Sequence, residues 1–132
     1  MLRLSGATLM ILALFHVVLW RSLHWDSEME RLSPLSARVF AVHTFFIAFV
    51  LFGLGLLSFA RPDLLLARGE LARLLLGGVV VFWVARLLLQ PLVFDRAMRN
   101  GWTRSAVVRV GASILWAGYV VIYGAVLLKQ LE

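Results

Sequence analysis

Cysteine is absent from the 132-residue chain. Its absence excludes disulfides, Cys-ligated zinc and Cys-ligated iron–sulfur clusters. Acidic residues are few, seven Asp and Glu against 13 Lys and Arg, and none lies inside an apolar stretch. A transporter that couples to protons or cations needs carboxylates at membrane depth, so that class is disfavoured. No HExxH, GxSxG or Gly-rich nucleotide loop occurs. The apolar runs leave no length for a soluble catalytic domain.

Apolar residues make up 62% of the chain, and the mean hydropathy is +0.93. An average soluble domain is about 45–50% apolar, and a short chain buries too little of its surface to hide such an excess. Lipid is the solvent that accommodates it. Four apolar stretches are fenced by charge: Arg3 to Arg21, Arg38 to Arg61, Arg73 to Asp95 with Arg86 inside, and Arg109 to Lys129. Each approaches the ~20 residues that cross a hydrocarbon core as a helix. The runs are continuous rather than alternating, which excludes a β-barrel. Short connections make successive spans antiparallel neighbours. The sequence therefore predicts an all-α integral membrane four-helix bundle with antiparallel up-down spans. The spans fall at about 4–20, 39–60, 74–94 and 106–128 in a single membrane domain.

Local signals refine this plan. The first stretch has a basic start but no small-x-small cleavage site, so it reads as a retained helix rather than a signal peptide. Ser33-Pro34 suits the start of the second helix. Leu64-Leu65-Leu66 after Arg61-Pro62-Asp63 suggests a short interfacial helix, and Asn100-Gly101 marks a turn. Gly53, Gly55, Gly77, Gly78, Gly111 and Gly118 are expected at close helix contacts, because small residues let backbones approach. Trp20, Trp25 and Trp102 sit at span ends, as interfacial anchors do.

The formal net charge is +6. With basic residues at helix ends, anionic lipid headgroups are the expected partner and nucleic acid is not. All but one of the basic residues are Arg, a bias that suggests a GC-rich bacterial source and hence an inner-membrane location. The connections at 21–38 and 95–105 carry more Arg than the opposite side, so the positive-inside rule sets them in the cytoplasm and both termini outside.

The candidate site is a layer of polar residues. His16, His43, Gln90 and Arg109 lie near the same end of their stretches, at similar depth by the α-helical rise. Arg86 lies one turn deeper than Gln90 on the same face. Ionisable residues at membrane depth are costly, and by default they suggest function. Arg86 suits an anionic ligand, a quinone carbonyl or a partner's carboxylate. The bland alternative is a structural hydrogen bond, as to Gln90, or snorkelling. His16 and His43 are the minimum for bis-His haem ligation, whereas plain interhelical hydrogen bonding asks less of them. Tyr119 and Tyr123 share a face at i,i+4, and such an aromatic face packs against another helix.

The favoured expectation is a small polytopic membrane protein acting as a non-catalytic subunit or accessory protein of a larger, bioenergetic membrane complex. Its partners would be lipid and other membrane subunits. The competing class is a small redox or ligand-binding protein holding haem or quinone at His16, His43, Gln90 and Arg86. A channel would need a polar stripe along a whole span, and none is present.

Overall fold

In the computed structural model, residues 1–22, 29–94 and 106–132 are described. Among them every element of regular structure is a helix. Helix α1 is Leu2–Ser22, α2 is Pro34–Ala60, α3 is the short Pro62–Leu66, α4 is Glu70–Leu89 and α5 is Ala106–Leu131. A π-helical turn, Gln90–Phe94, prolongs α4. The Asn100-Gly101 turn falls outside the described residues.

The helix ends follow from local chemistry. The Ser33 hydroxyl accepts the Ser36 N–H at 3.2 Å, and Pro34 occupies the first turn, where its missing N–H costs nothing. At the other end Arg61 donates its N–H to Leu57 O at 2.9 Å. It takes φ −131° because Pro62 disfavours the α region for its predecessor. Asp63 and Glu70 stand in the first turns of α3 and α4, where a negative charge complements the helix dipole. Pro91 explains the π turn: it has no N–H to offer Leu87 O, and its ring crowds that carbonyl. The Gln90 N–H bonds Leu87 O instead, and the backbone widens over the next residues.

Among the described residues three helical segments are long and apolar enough to cross a membrane: Pro34–Ala60, Glu70–Leu92 and Arg109–Leu131. Helix α1 contributes a shorter apolar stretch, Leu2–His16. Apolarity in α2 runs all the way round, and only 11% of its span is buried. Phe45, Phe46, Phe49 and Phe52 are all exposed. A helix of this kind is stable only where water is excluded.

The chain divides into two compact units, Met1–Pro62 and Asp63–Glu132. In the first, α1 and α2 pair antiparallel, because Gly6 near the start of α1 meets Gly55 and Phe59 near the end of α2. A β-carbon built on Gly6 would lie 2.5 Å from Gly55 O and 2.6 Å from Phe59 N, and one on Gly55 would lie 2.8 Å from Gly6 O. The backbones touch, which only glycine permits. Leu2, Ser5, Leu9 and Ala13 form the buried stripe of α1, with Leu51, Gly55 and Ser58 buried on α2.

In the second unit α4 and α5 also run antiparallel. Gln90 at the end of α4 meets Trp116 toward the start of α5, while Gln130 near the end of α5 donates through Nε2 to Leu65 O of α3. Large residues hold this pair together. Leu76, Val79, Trp83 and Gln90 are buried on one helix, and Trp116, Tyr119, Tyr123 and Gln130 on the other. Both sets follow spacings of three, four or seven, one stripe of a helix.

The glycine expectation needs correction. Gly55 is a close contact, but a β-carbon on Gly53, Gly77, Gly78, Gly111 or Gly118 meets nothing within 4 Å. Gly53 is two residues from Gly55 and points round the other side of α2. In α4 and α5 the aromatic side chains fill the contact face, so the glycines fall elsewhere. Gly6, not among the expected positions, makes the tightest approach.

Candidate functional site

In the second unit Arg86 and Trp116 converge on the Gln90 side chain. Gln90 is fully buried. Its Oε1 accepts from Arg86 Nη1 at 2.8 Å and from Trp116 Nε1 at 3.4 Å. The Arg86 bond joins i to i+4 along the helix, and the Trp116 bond crosses to α5. The Arg86 guanidinium also lies over the Trp116 ring, 5.0 Å from its centroid, within range for a cation–π attraction. One amide oxygen and one indole face thus hold a cation inside an apolar segment.

Below this group is an aromatic stack. Trp83 lies nearly parallel to Trp116, with centroids 5.1 Å apart and planes at 17°. Tyr119 packs on Trp83 at 4.5 Å, and Phe82 meets Trp83 edge-on at 5.1 Å. Trp83 is 1% exposed. Its Nε1–H is buried without an acceptor, which is uncommon for a buried indole. Among the described residues Oε1 of Gln130, at the opposite end of the unit, is also buried without a partner.

Of the polar layer expected from sequence, Arg86 and Gln90 are joined directly. Arg109 is half-buried near the start of α5, and its carbonyl accepts the Ser113 hydroxyl at 3.1 Å. His16 and His43 belong to the first unit. The Nδ1 of His16 donates to Leu12 O at 2.8 Å. A carbonyl can only accept, so this contact sets the proton on Nδ1 and leaves Nε2 as the acceptor nitrogen. That bond lies within α1 and is not interhelical. His43 is exposed on α2. The side chain of Trp20, and Trp25 and Trp102 entirely, fall outside what is described. Among the described residues no group of three His, Asp or Glu is placed to hold a metal ion.

Sequence reasoning found Arg86 with Gln90 and the shared face of Tyr119 and Tyr123. It missed Trp116 as the second donor to Gln90, and Trp83 as the centre of the stack. The signal was available in the spacing. Trp83, Arg86 and Gln90 stand at i, i+3 and i+7, and Trp116, Tyr119 and Tyr123 repeat that interval on the partner helix. Two polar-aromatic stripes of equal period on neighbouring antiparallel helices are placed to meet. The chain matches no protein-family model, no curated protein and no solved structure in the comparisons made.

Proposed function

We propose that the chain is an integral membrane protein that crosses the bilayer four times and serves as a non-catalytic subunit or accessory protein of a larger membrane complex, in a bacterial inner membrane. The observation that carries this reading is α2. Its apolar surface is exposed along the whole helix, from Val39 and Phe40 through Phe49 to Phe59, and in water such a surface would drive association. Lipid and neighbouring subunits are the surroundings that stabilise it. The scarcity of titratable side chains among the buried residues agrees with a role in packing. Purification in a mild detergent followed by mass spectrometry tests the reading. The expected result is a fixed ratio of this chain to other membrane subunits. Recovery as a free chain from the native membrane would count against it.

Orientation is part of the same proposal, with both termini outside the cytoplasm by the Arg bias. The chain has no native cysteine, so single-cysteine variants report cleanly. Arg3 and Glu132 are exposed. Cysteine at either should react with an impermeant thiol reagent in intact cells, and protection of both would invert the topology.

A second reading, a small redox or ligand-binding protein holding haem or quinone near His16, His43, Gln90 and Arg86, is favoured by one observation. The Arg86–Gln90–Trp116 group is polar, Gln90 and Trp116 in it are buried, and it lies next to an unpartnered indole N–H. For haem, His16 presents Nε2 while its Nδ1–H is anchored, the arrangement usual for a ligating imidazole. A Soret band in the purified protein, lost in His16→Ala, would support the haem form. Its absence would remove it.

A further inference from the structure

We propose that the last turn of α5 is a releasable latch on α3, closed by Gln130, and that its opening lengthens the connection between the chain's two compact units. The inference does not depend on either functional reading above.

The latch holds a helix that has little else to hold it. Helix α3 is only five residues, Pro62–Leu66, far below the length at which a helix is stable on its own. Pro62 opens it without an N–H to contribute, and the chain leaves helical geometry at 67–69 before α4 begins. The α3 backbone approaches the long helices only sparsely, and Leu64 and Leu66 face outward, about half exposed. Its tie to the rest of the unit is at Leu65. That side chain is buried, and the Leu65 carbonyl takes the Nε2–H of Gln130. The carbonyl belongs to the last turn of α3, where a helix supplies no N–H of its own. A side chain 65 positions away in sequence therefore caps this short helix.

The same side chain makes the closure weak. Gln130 is 9% exposed, and its Oε1 is enclosed without a partner. One hydrogen bond adds little net stability, and a buried acceptor without a donor costs as much or more. Closing satisfies one amide atom of Gln130 and strands the other, so the closed state lies near balance with the open one. Opening is also local. Gln130 stands in the final turn of α5 between exposed Lys129 and Leu131, about three turns beyond Tyr119. The aromatic contacts of Trp83, Trp116 and Tyr119 are left as they are. What opening changes is reach. Five residues span about 7 Å as an α-helix and about 17 Å extended. Helix α3 lies at the boundary between Met1–Pro62 and Asp63–Glu132, so unwinding it lengthens the connection there.

Hydrogen–deuterium exchange of the full chain in mild detergent, read by mass spectrometry, tests the latch at residues 62–69, with a thermal melt of the same sample. In the wild type 62–69 should exchange faster than the apolar stretches of α4 and α5, because the latch opens while those helices stay folded. Gln130→Met keeps the length of the side chain and removes both amide atoms. It should raise exchange at 62–69 about fivefold through loss of the bond, with the melting temperature unchanged. Gln130→Ala should raise it at least as much. Exchange unchanged in both variants would overturn the latch. Exchange raised in Gln130→Ala but not in Gln130→Met would also overturn it, because apolar burial rather than the bond would then hold α3. A fall in melting temperature that accompanies the faster exchange would make Gln130 part of the fold and not a latch. Wild-type exchange at 62–69 as slow as in α4 would show that α3 does not open.

Discussion

The two units solve one problem in opposite ways. In Met1–Pro62 the helices come together backbone to backbone, through Gly6 and Gly55. Several of its polar side chains bond within their own helix: Ser5 bonds Met1 O, Thr8 bonds Ser5 O, His16 bonds Leu12 O and Thr44 bonds Phe40 O. In Asp63–Glu132 the helices meet through Trp83, Trp116, Tyr119 and Tyr123, and polar side chains reach across, from Trp116 to Gln90 and from Gln130 to Leu65. Without a hydrophobic drive between helices in lipid, association depends on close packing and on hydrogen bonds. Backbone contact at glycine marks the first unit, and an aromatic contact with side-chain bonds between helices marks the second. Function is more easily built into the second, because side chains that already bond between helices can bond a ligand too.

Gly6→Leu should break the first arrangement and give the largest effect. The new side chain would begin 2.5 Å from a backbone oxygen, and backbone cannot step aside as a flexible side chain can. A loss of about 3 kcal/mol or more is expected, at the upper end of overpacking costs, read as a large drop in melting temperature in detergent. Melting unchanged from wild type would mean that α1 and α2 do not touch at this crossing.

Gln90→Leu attacks the second arrangement and should cost less, about 2–3 kcal/mol. The substitution keeps an apolar side chain of similar length but strips the acceptor from Arg86 and Trp116, and a buried donor left unpaired costs about 1–3 kcal/mol. Arg86 retains the face of Trp116, which softens the loss. Pairing with Arg86→Leu sharpens the test. If both residues serve one bond, the double variant should be more stable than the sum of the singles predicts. Strict additivity would show that the two side chains act separately.

Much of this was legible in the residues, and the reasons are local. Ser33 and Pro34 marked the start of α2 because capping chemistry depends on neighbours in sequence. Arg86 and Gln90 were paired because i and i+4 always stack. The long apolar segments were visible from composition. The partner of each stripe was less legible. Nothing near Gly6 distinguishes it from Gly53, since which glycine touches a neighbour depends on the rotation of both helices. His16 was an interhelical candidate by depth, yet the carbonyl of Leu12 lies within reach of its own ring and needs no partner helix. Depth sets which residues share a layer, but helix rotation sets which way each one points.

The smallest expected effect comes from the glycines that the first unit does not need. Ala at Gly53, Gly77 or Gly111 adds a methyl group to open space. Each lies inside a helix, where glycine costs about 0.5–1 kcal/mol relative to alanine through the freedom it loses on folding. Each variant should therefore melt at or slightly above the wild-type temperature, by no more than that amount. Gly55→Ala provides the opposite sign within the same helix as Gly53→Ala, because its β-carbon would lie 2.8 Å from Gly6 O. The contrast between two glycines two residues apart isolates contact from propensity, since the helix and its surroundings are shared. A fall in stability for Gly77→Ala and Gly111→Ala matching that of Gly55→Ala would place close backbone contacts in the second unit as well, and the division between glycine-packed and aromatic-packed helix pairs would not stand.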